Sequence, residues 1–263
     1  MGYYHALPPG GKHRNSRARP KNRALTRLLP SKLGGRWRCG RSGTLRSGRR
    51  LPYRNGVPLD YDKAEAVRHL CAADEKLAGL IEHVGPCLLR ARVEHTIFYS
   101  LLRSIVYHQL AGAAAAAILG RVDALFPAHR FAHPEDILDA TDERLRSAGL
   151  SRNKIAAVRD LAAKTLAGVV PTLEESHGMS DQELIERLVT IRGIGQWTVE
   201  MLLIFRLGRP DILPLDDYGV RKGFKLTFKT RELPTKKQML RRGERWRPYR
   251  SVASWYLWRA VEL

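Results

Sequence analysis

The stretch that decides the reading begins at Ile191-Arg192-Gly193-Ile194-Gly195. It runs on through Trp197-Thr198-Val199-Glu200-Met201-Leu202-Leu203-Ile204-Phe205 and ends at Leu213-Pro214-Leu215-Asp216-Asp217-Tyr218. Two glycines one residue apart leave the backbone bare, so several N–H groups can converge on one anion at the start of the following helix, where the helix dipole already favours negative charge. The pattern reads as a phosphate grip. Two carboxylates directly after that helix would repel a polyanion, so their presence in a basic chain calls for a chemical reason.

The chain carries 46 Lys+Arg against 26 Asp+Glu, a formal charge of +20, which points to a polyanionic partner. Most of that excess, +14, lies in the first 60 residues. Residues 1–59 are rich in Arg, Gly, Pro and Ser and show no amphipathic period, so they read as a disordered basic arm. The arm is either a start-site artefact or solvated tail, or a nonspecific nucleic-acid tether; its glycines and prolines argue against a helical transit peptide. Residues 60–263 form the folded domain. No apolar run approaches the ~20 residues of a membrane span. Cys39, Cys71 and Cys87 make neither a disulfide framework nor a Cys-x-x-Cys pair, and the nine histidines form no metal-spaced set.

From Asp60 onward apolar residues recur at steps of three and four. The spacing predicts helices over Ala64–Leu80, Ile97–Val106, Ala111–Phe126, Ile155–Leu166, Leu184–Val189, Val199–Leu207 and Val252–Val261, with no alternating run that would make a strand. Pro127, Pro134, Pro171 and Pro210 punctuate them, and Ser180-Asp181-Gln182-Glu183 has the form of a capping box. The fold class is all-α.

The glycine hairpin, its helix and the Pro-x-Asp-Asp element together resemble the helix-hairpin-helix (HhH-GPD) DNA glycosylases. Within them the chain is most similar to the DNA-3-methyladenine glycosylase II branch. Three further segments carry the resemblance: Arg103-Ser104-Ile105-Val106-Tyr107-His108-Gln109-Leu110-Ala111-Gly112, Leu145 to Lys154, and Arg245-Trp246-Arg247-Pro248-Tyr249-Arg250-Ser251. It implies two helical lobes with the active site between them, the first core helices rejoining the C-terminal helix in one lobe. The sheet-containing N-terminal domain of some members has no counterpart.

The resemblance also implies an activity: flipping out and hydrolysing off alkylated purines of the 3-methyladenine and 7-methylguanine type in base excision repair. Asp217 is the implied catalytic carboxylate, stabilising the oxocarbenium-like sugar and orienting water, with Asp216 expected to cap the next helix. Trp197 stands where bifunctional relatives place a Schiff-base lysine, which implies a monofunctional enzyme without lyase activity. An aromatic base pocket of Trp197 and Trp258, with Tyr107, Met201 and Tyr218 as second choices, would favour cationic bases. Leu110 after Gln109 is the implied wedge filling the vacated stack, although Ala111-Gly112-Ala113 replaces polar or basic residues of some relatives. Gly193, Gly195 and Thr198 would hold DNA phosphates through backbone N–H groups, and His108 is the one histidine expected near DNA.

No cofactor is implied as required. The backbone carbonyls of Val189, Ile191 and Ile194 correspond to those that hold a monovalent cation, K⁺ or Na⁺, in the family. With no cysteine after Cys87, the four-cysteine iron–sulfur cluster of several relatives has no ligands. The implied partner is double-stranded DNA containing damaged bases, with no membrane, for a monomer that is cytoplasmic and nucleoid-associated in a bacterium or nuclear in a eukaryote. Two rival readings are a same-fold glycosylase for oxidised or deaminated bases and a non-catalytic DNA-binding module; the second has no use for Asp217.

Overall fold

The computed structural model describes residues 59, 61–91, 95–129 and 131–263, so the basic arm lies outside the described residues apart from Leu59. The described residues form thirteen α-helices and no strand, so the fold is all-α as predicted, with helices at Pro134–Asp139, Asp142–Ser147, Leu173–His177, Tyr218–Phe228 and Lys236–Gly243 beyond the seven runs the periodicity marks. The first lobe begins with α1 (Lys63–Ala73) and α2 (Glu75–Val84). The second holds α3 (Ile97–Tyr107), α4 (Gly112–Ala124), α5 (Pro134–Asp139), α6 (Asp142–Ser147), α7 (Arg152–Leu166), α8 (Leu173–His177), α9 (Asp181–Leu188) and α10 (Gln196–Phe205). The chain then returns to the first lobe with α11 (Tyr218–Phe228), α12 (Lys236–Gly243) and α13 (Arg250–Arg259). Packing follows this division: α11 and α13 lie on each other and on α2, whereas α3 packs on α4, α7 and α10.

The single helix predicted over Ala64–Leu80 is in fact two, broken at Asp74. Asp74 adopts an extended backbone (φ −150°, ψ 103°) and caps α2 by accepting from the Leu77 N–H at 3.3 Å. Its carboxylate is 2% exposed and accepts from Arg242 Nε and Nη2 at 2.7 and 2.8 Å and from Trp246 Nε1 at 3.1 Å. These bonds hold Asp74 well ionised against the cost of burial. Both side-chain donors lie about 170 residues away in sequence, so the capping acid itself is the one local mark of the break.

Gly223 lets α11 and α13 touch. A Cβ there would lie 1.8 Å from the Leu257 carbonyl oxygen, so only hydrogen fits between the backbones. Trp246 and Tyr256 are fully buried beside this seam, and the Tyr256 hydroxyl donates to the Gly85 carbonyl at 2.9 Å. The C-terminal aromatics are thus largely core, the fate buried aromatics usually meet.

Candidate active site

The segment that leads to the two acids is pinned from α13. Arg250 grips the Asp211 carboxylate through Nε at 2.6 Å and Nη2 at 2.9 Å, and Arg247 adds Nη1 at 2.7 Å. Ser251 Oγ donates to the Arg209 carbonyl at 2.6 Å and accepts from the Ile212 N–H at 3.0 Å. The Arg245–Ser251 motif therefore fixes the backbone a few residues before Asp217.

Asp217, not Asp216, is the helix cap. Its Oδ1 accepts from the Val220 N–H at 2.7 Å at the start of α11. The same oxygen accepts from Trp258 Nε1 at 2.8 Å, and Oδ2 accepts from Trp197 Nε1 at 2.8 Å. Asp216 points to solvent and pairs with Lys236 at 2.6 Å. The expectation reversed the two because both acids could reach a helix start; the register of α11 gives the capping position to the second. Trp197 belongs to one lobe and Trp258 to the other, so the carboxylate is fastened across the cleft, in a fixed orientation, by donors that cannot accept its charge or its proton.

Close approach makes this possible. A Cβ on Gly219 would stand 2.8 Å from Trp258 Cδ1 and 3.1 Å from Asp217 Oδ1. The glycine thus clears the space in which indole and carboxylate meet. The sequence offers no sign of this, because Gly219 has no local turn to serve.

The pocket beside Trp197 is lined by Arg103, Tyr107 and His108 from the end of α3, Gly193 from the hairpin, and Thr198 from α10. It brings together Trp197 and Tyr107 of the expected base pocket. Trp258 is partly buried, with its ring 5.5 Å from Phe205. Met201 is 1% exposed and lies in the core cluster, and Tyr218 is 52% exposed; neither lines this pocket.

Gly193 takes φ +79°, a left-handed conformation that only glycine adopts readily, and turns the chain into α10. Gly195 is the N-cap of α10 with extended backbone and no side-chain cap. The Thr198 N–H already donates to the Gly195 carbonyl at 2.9 Å, so of the α10 N-terminus the Gln196 and Trp197 N–H groups and the Thr198 hydroxyl are those with no described partner. The hairpin carbonyls follow α9, with Val189 at its C-cap and Ile191 accepting from the Ile194 N–H at 3.0 Å.

At the end of α3, Gln109 is exposed and held at φ +59°, an uncommon conformation for a non-glycine residue. Leu110 follows, partly buried against the core, its N–H donating to the Tyr107 carbonyl at 3.1 Å. Lys154 Nζ donates to the Val106 carbonyl at 2.6 Å, so the Leu145–Lys154 motif steadies this turn. Burial lowers the Lys154 pKa.

Glu200 was not anticipated as a site residue. It sits one turn after Trp197, is 6% exposed, and accepts from Gln196 Nε2 at 2.9 Å. Burial pushes its carboxyl up to about 7; the negative charges of Asp216 and Asp217 add to the rise, and the Gln196 bond opposes it.

Comparison with known proteins gives first a class and then particular relatives. Residues 102–248 match the HhH-GPD superfamily of base excision DNA repair proteins, and the chain belongs to that superfamily. DNA-3-methyladenine glycosylase 1 of Schizosaccharomyces pombe is 39% identical over 196 residues, which span 74% of this chain and 86% of the relative. The solved structure of the S. pombe 3-methyladenine DNA glycosylase in complex with abasic DNA is similar at a TM-score of 0.67 and 38% identity, covering 76% of this chain and 97% of that one. A DNA-3-methyladenine glycosidase from Bacillus halodurans gives 0.68 and 37%, covering 76% and 89%.

Proposed function

We propose that the protein is a monofunctional DNA glycosylase that flips alkylated purines, of the 3-methyladenine and 7-methylguanine type, out of duplex DNA and removes them by hydrolysis. The observation that carries this reading is the Trp197–Asp217–Trp258 arrangement, with 2.8 Å between each indole nitrogen and the carboxylate. As the base departs, the sugar gains positive charge. A carboxylate already oriented in the cleft stabilises that charge without reorganising, and Oδ2, which takes only one of the three described hydrogen bonds, is the oxygen free to align an attacking water. An indole is no nucleophile toward the sugar carbon, so water completes the displacement and the phosphodiester strand stays intact.

The glycine hairpin would hold a DNA phosphate at the start of α10, where the first backbone N–H groups lack intrahelical partners. The exposed Gln109-Leu110 turn would enter the stack. The neutral carbonyls of Val189, Ile191 and Ile194 suit a monovalent cation: those closing α9 have no intrahelical donors, and Ile191 spends one of its two lone pairs on Ile194. Those residues would hold K⁺ or Na⁺, which when bound supplies positive charge to the phosphate beside the hairpin. The similarity to the S. pombe enzyme bound to abasic DNA supports duplex DNA as the partner.

Single-turnover base release from methylated duplex DNA tests the reading. Asp217→Asn should lower the rate on the order of a thousandfold or more while DNA binding is kept or tightened, since the change removes transition-state stabilisation together with repulsion of phosphate. Residual activity above about a tenth of wild type would move the catalytic role elsewhere. The product should carry intact abasic sites, with no protein–DNA adduct trapped by borohydride; efficient trapping would refute the hydrolytic mechanism.

A further inference from the structure

The pocket between α3 and the hairpin contains a cation, Arg103, for which the described residues supply no counter-ion. The Arg103 guanidinium lies over the Tyr107 ring, its Cζ 4.1 Å from the centroid. Its Nη2 atom is buried and has no hydrogen-bond partner. A buried charged donor left unpaired is costly. The other arginines with an unsatisfied buried nitrogen, Arg206, Arg221 and Arg259, each bond a carbonyl or carboxylate through another atom, whereas no described residue hydrogen-bonds the Arg103 side chain. The nearest catalytic acid, Asp217, directs its oxygens to Val220, Trp197 and Trp258. Arg103 lines the pocket and is only partly buried, so the rest of its fork can meet an acceptor that enters there.

Two parts of a flipped nucleotide carry suitable oxygens: a base carbonyl and a phosphate. A cationic alkylated base would be repelled by a guanidinium in the same pocket, whereas a phosphodiester brings a full negative charge in the geometry that a guanidinium fork matches. Gly193 and Thr198, on the pocket wall facing Arg103, belong to the element already read as gripping phosphate. We propose that Arg103 donates to a non-bridging oxygen of a phosphate flanking the flipped nucleotide, clamping from α3 the strand that the hairpin holds from the other side. Tyr107 keeps the guanidinium flat and aimed, so little side-chain freedom is lost on binding. This inference rests on the cleft receiving DNA, and is indifferent to which base is removed.

Binding of the full chain to a duplex with a stable abasic-site analogue provides the test, because it needs no base release. The duplex is offered with native phosphates and with a neutral methylphosphonate placed, one at a time, at each phosphate around the abasic site. Arg103→Met should weaken binding to the native duplex about tenfold or more and lower the slope of log affinity against log salt by about one. One methylphosphonate should weaken wild-type binding by a similar factor and leave Arg103→Met almost unchanged. Arg103→Lys, which keeps the charge and loses the fork, should fall between the two, and it carries the test if Arg103→Met does not fold. The proposal is overturned if every methylphosphonate weakens variant and wild type by the same factor. It is also overturned if Arg103 variants bind the abasic duplex normally but lose activity only on bases that bear a carbonyl acceptor. Failure of the wild type to release any base would remove the proposed activity and leave this binding cycle readable.

Discussion

Asp217 and Arg103 both border Trp197, yet the fold treats the two charges in opposite ways. The anion is held by three donors, one from its own helix and one indole from each lobe, all within 2.8 Å. The cation is stacked on an aromatic ring and left with a buried, unsatisfied nitrogen. Groups that act on a transition state gain from orientation fixed in advance, since no reorganisation is then needed as charge develops. Groups that bind must keep a vacancy for the ligand. The difference separates the part of the cleft that is finished before DNA arrives from the part that DNA completes.

The sharpest way to break this contrast is to loosen the anion. Trp197→Phe and Trp258→Phe each remove one donor to Asp217 and keep an aromatic surface. Each should lower single-turnover base release about ten- to a hundredfold, the worth of a hydrogen bond to a charged group, with smaller changes in affinity for abasic DNA. Losses that appear only in affinity would assign both indoles to binding alone.

A smaller effect concerns the second acid of the cleft. Glu200 is buried with an amide as its hydrogen-bond donor, and its carboxyl lies near 7 instead of the ordinary 4.5. A raised folded pKa means that the folded state binds the proton more tightly. That contribution to stability is complete below about pH 4.5 and is lost as pH rises through 7. Chemical denaturation across this range should show wild type losing up to about 3 kcal/mol that Glu200→Gln retains. Parallel stability curves for the two proteins would show that folding does not raise the Glu200 pKa.

Gly219→Ala should act more weakly still. The new methyl meets Trp258 Cδ1 at 2.8 Å, and an indole at the cleft can shift by a few tenths of an ångström. Base release should fall severalfold, with the loss absent when Trp258 is already phenylalanine. Full additivity of the two changes would place the methyl's effect somewhere other than the Asp217–Trp258 bond.

What could be read from the sequence follows the range of the forces involved. The all-α class, seven helical runs and the glycine hairpin are local patterns, and the structure has them close to where period and spacing put them, with the first run broken in two and the shorter helices unmarked. The helix break at Asp74 depends on Arg242 and Trp246, and the clearance at Gly219 depends on Trp258; beyond the capping acid itself, neither leaves a mark in neighbouring residues. Met201 shares the helical face arithmetic of a cleft residue and is nevertheless core, because α10 is apolar nearly all round and is enclosed between neighbours. Arg103 lay inside a motif quoted for its resemblance, and only the packing of Tyr107 beneath it reveals an unsatisfied donor.

The return of the chain to its first lobe has an entropic consequence. Helices α3 to α10 pack among themselves within one continuous stretch of chain, whereas α1 and α2 meet α11 and α13 only across the whole domain, a longer loop closed at a larger entropic cost. The Asp74–Arg242 and Asp74–Trp246 bonds, spanning 168 and 172 residues, belong to that closure. Trp258 lies on α13, in the same lobe as those bonds. The carboxylate at position 217 is therefore oriented only when the two ends of the domain have met, because one of its indole donors comes from each lobe.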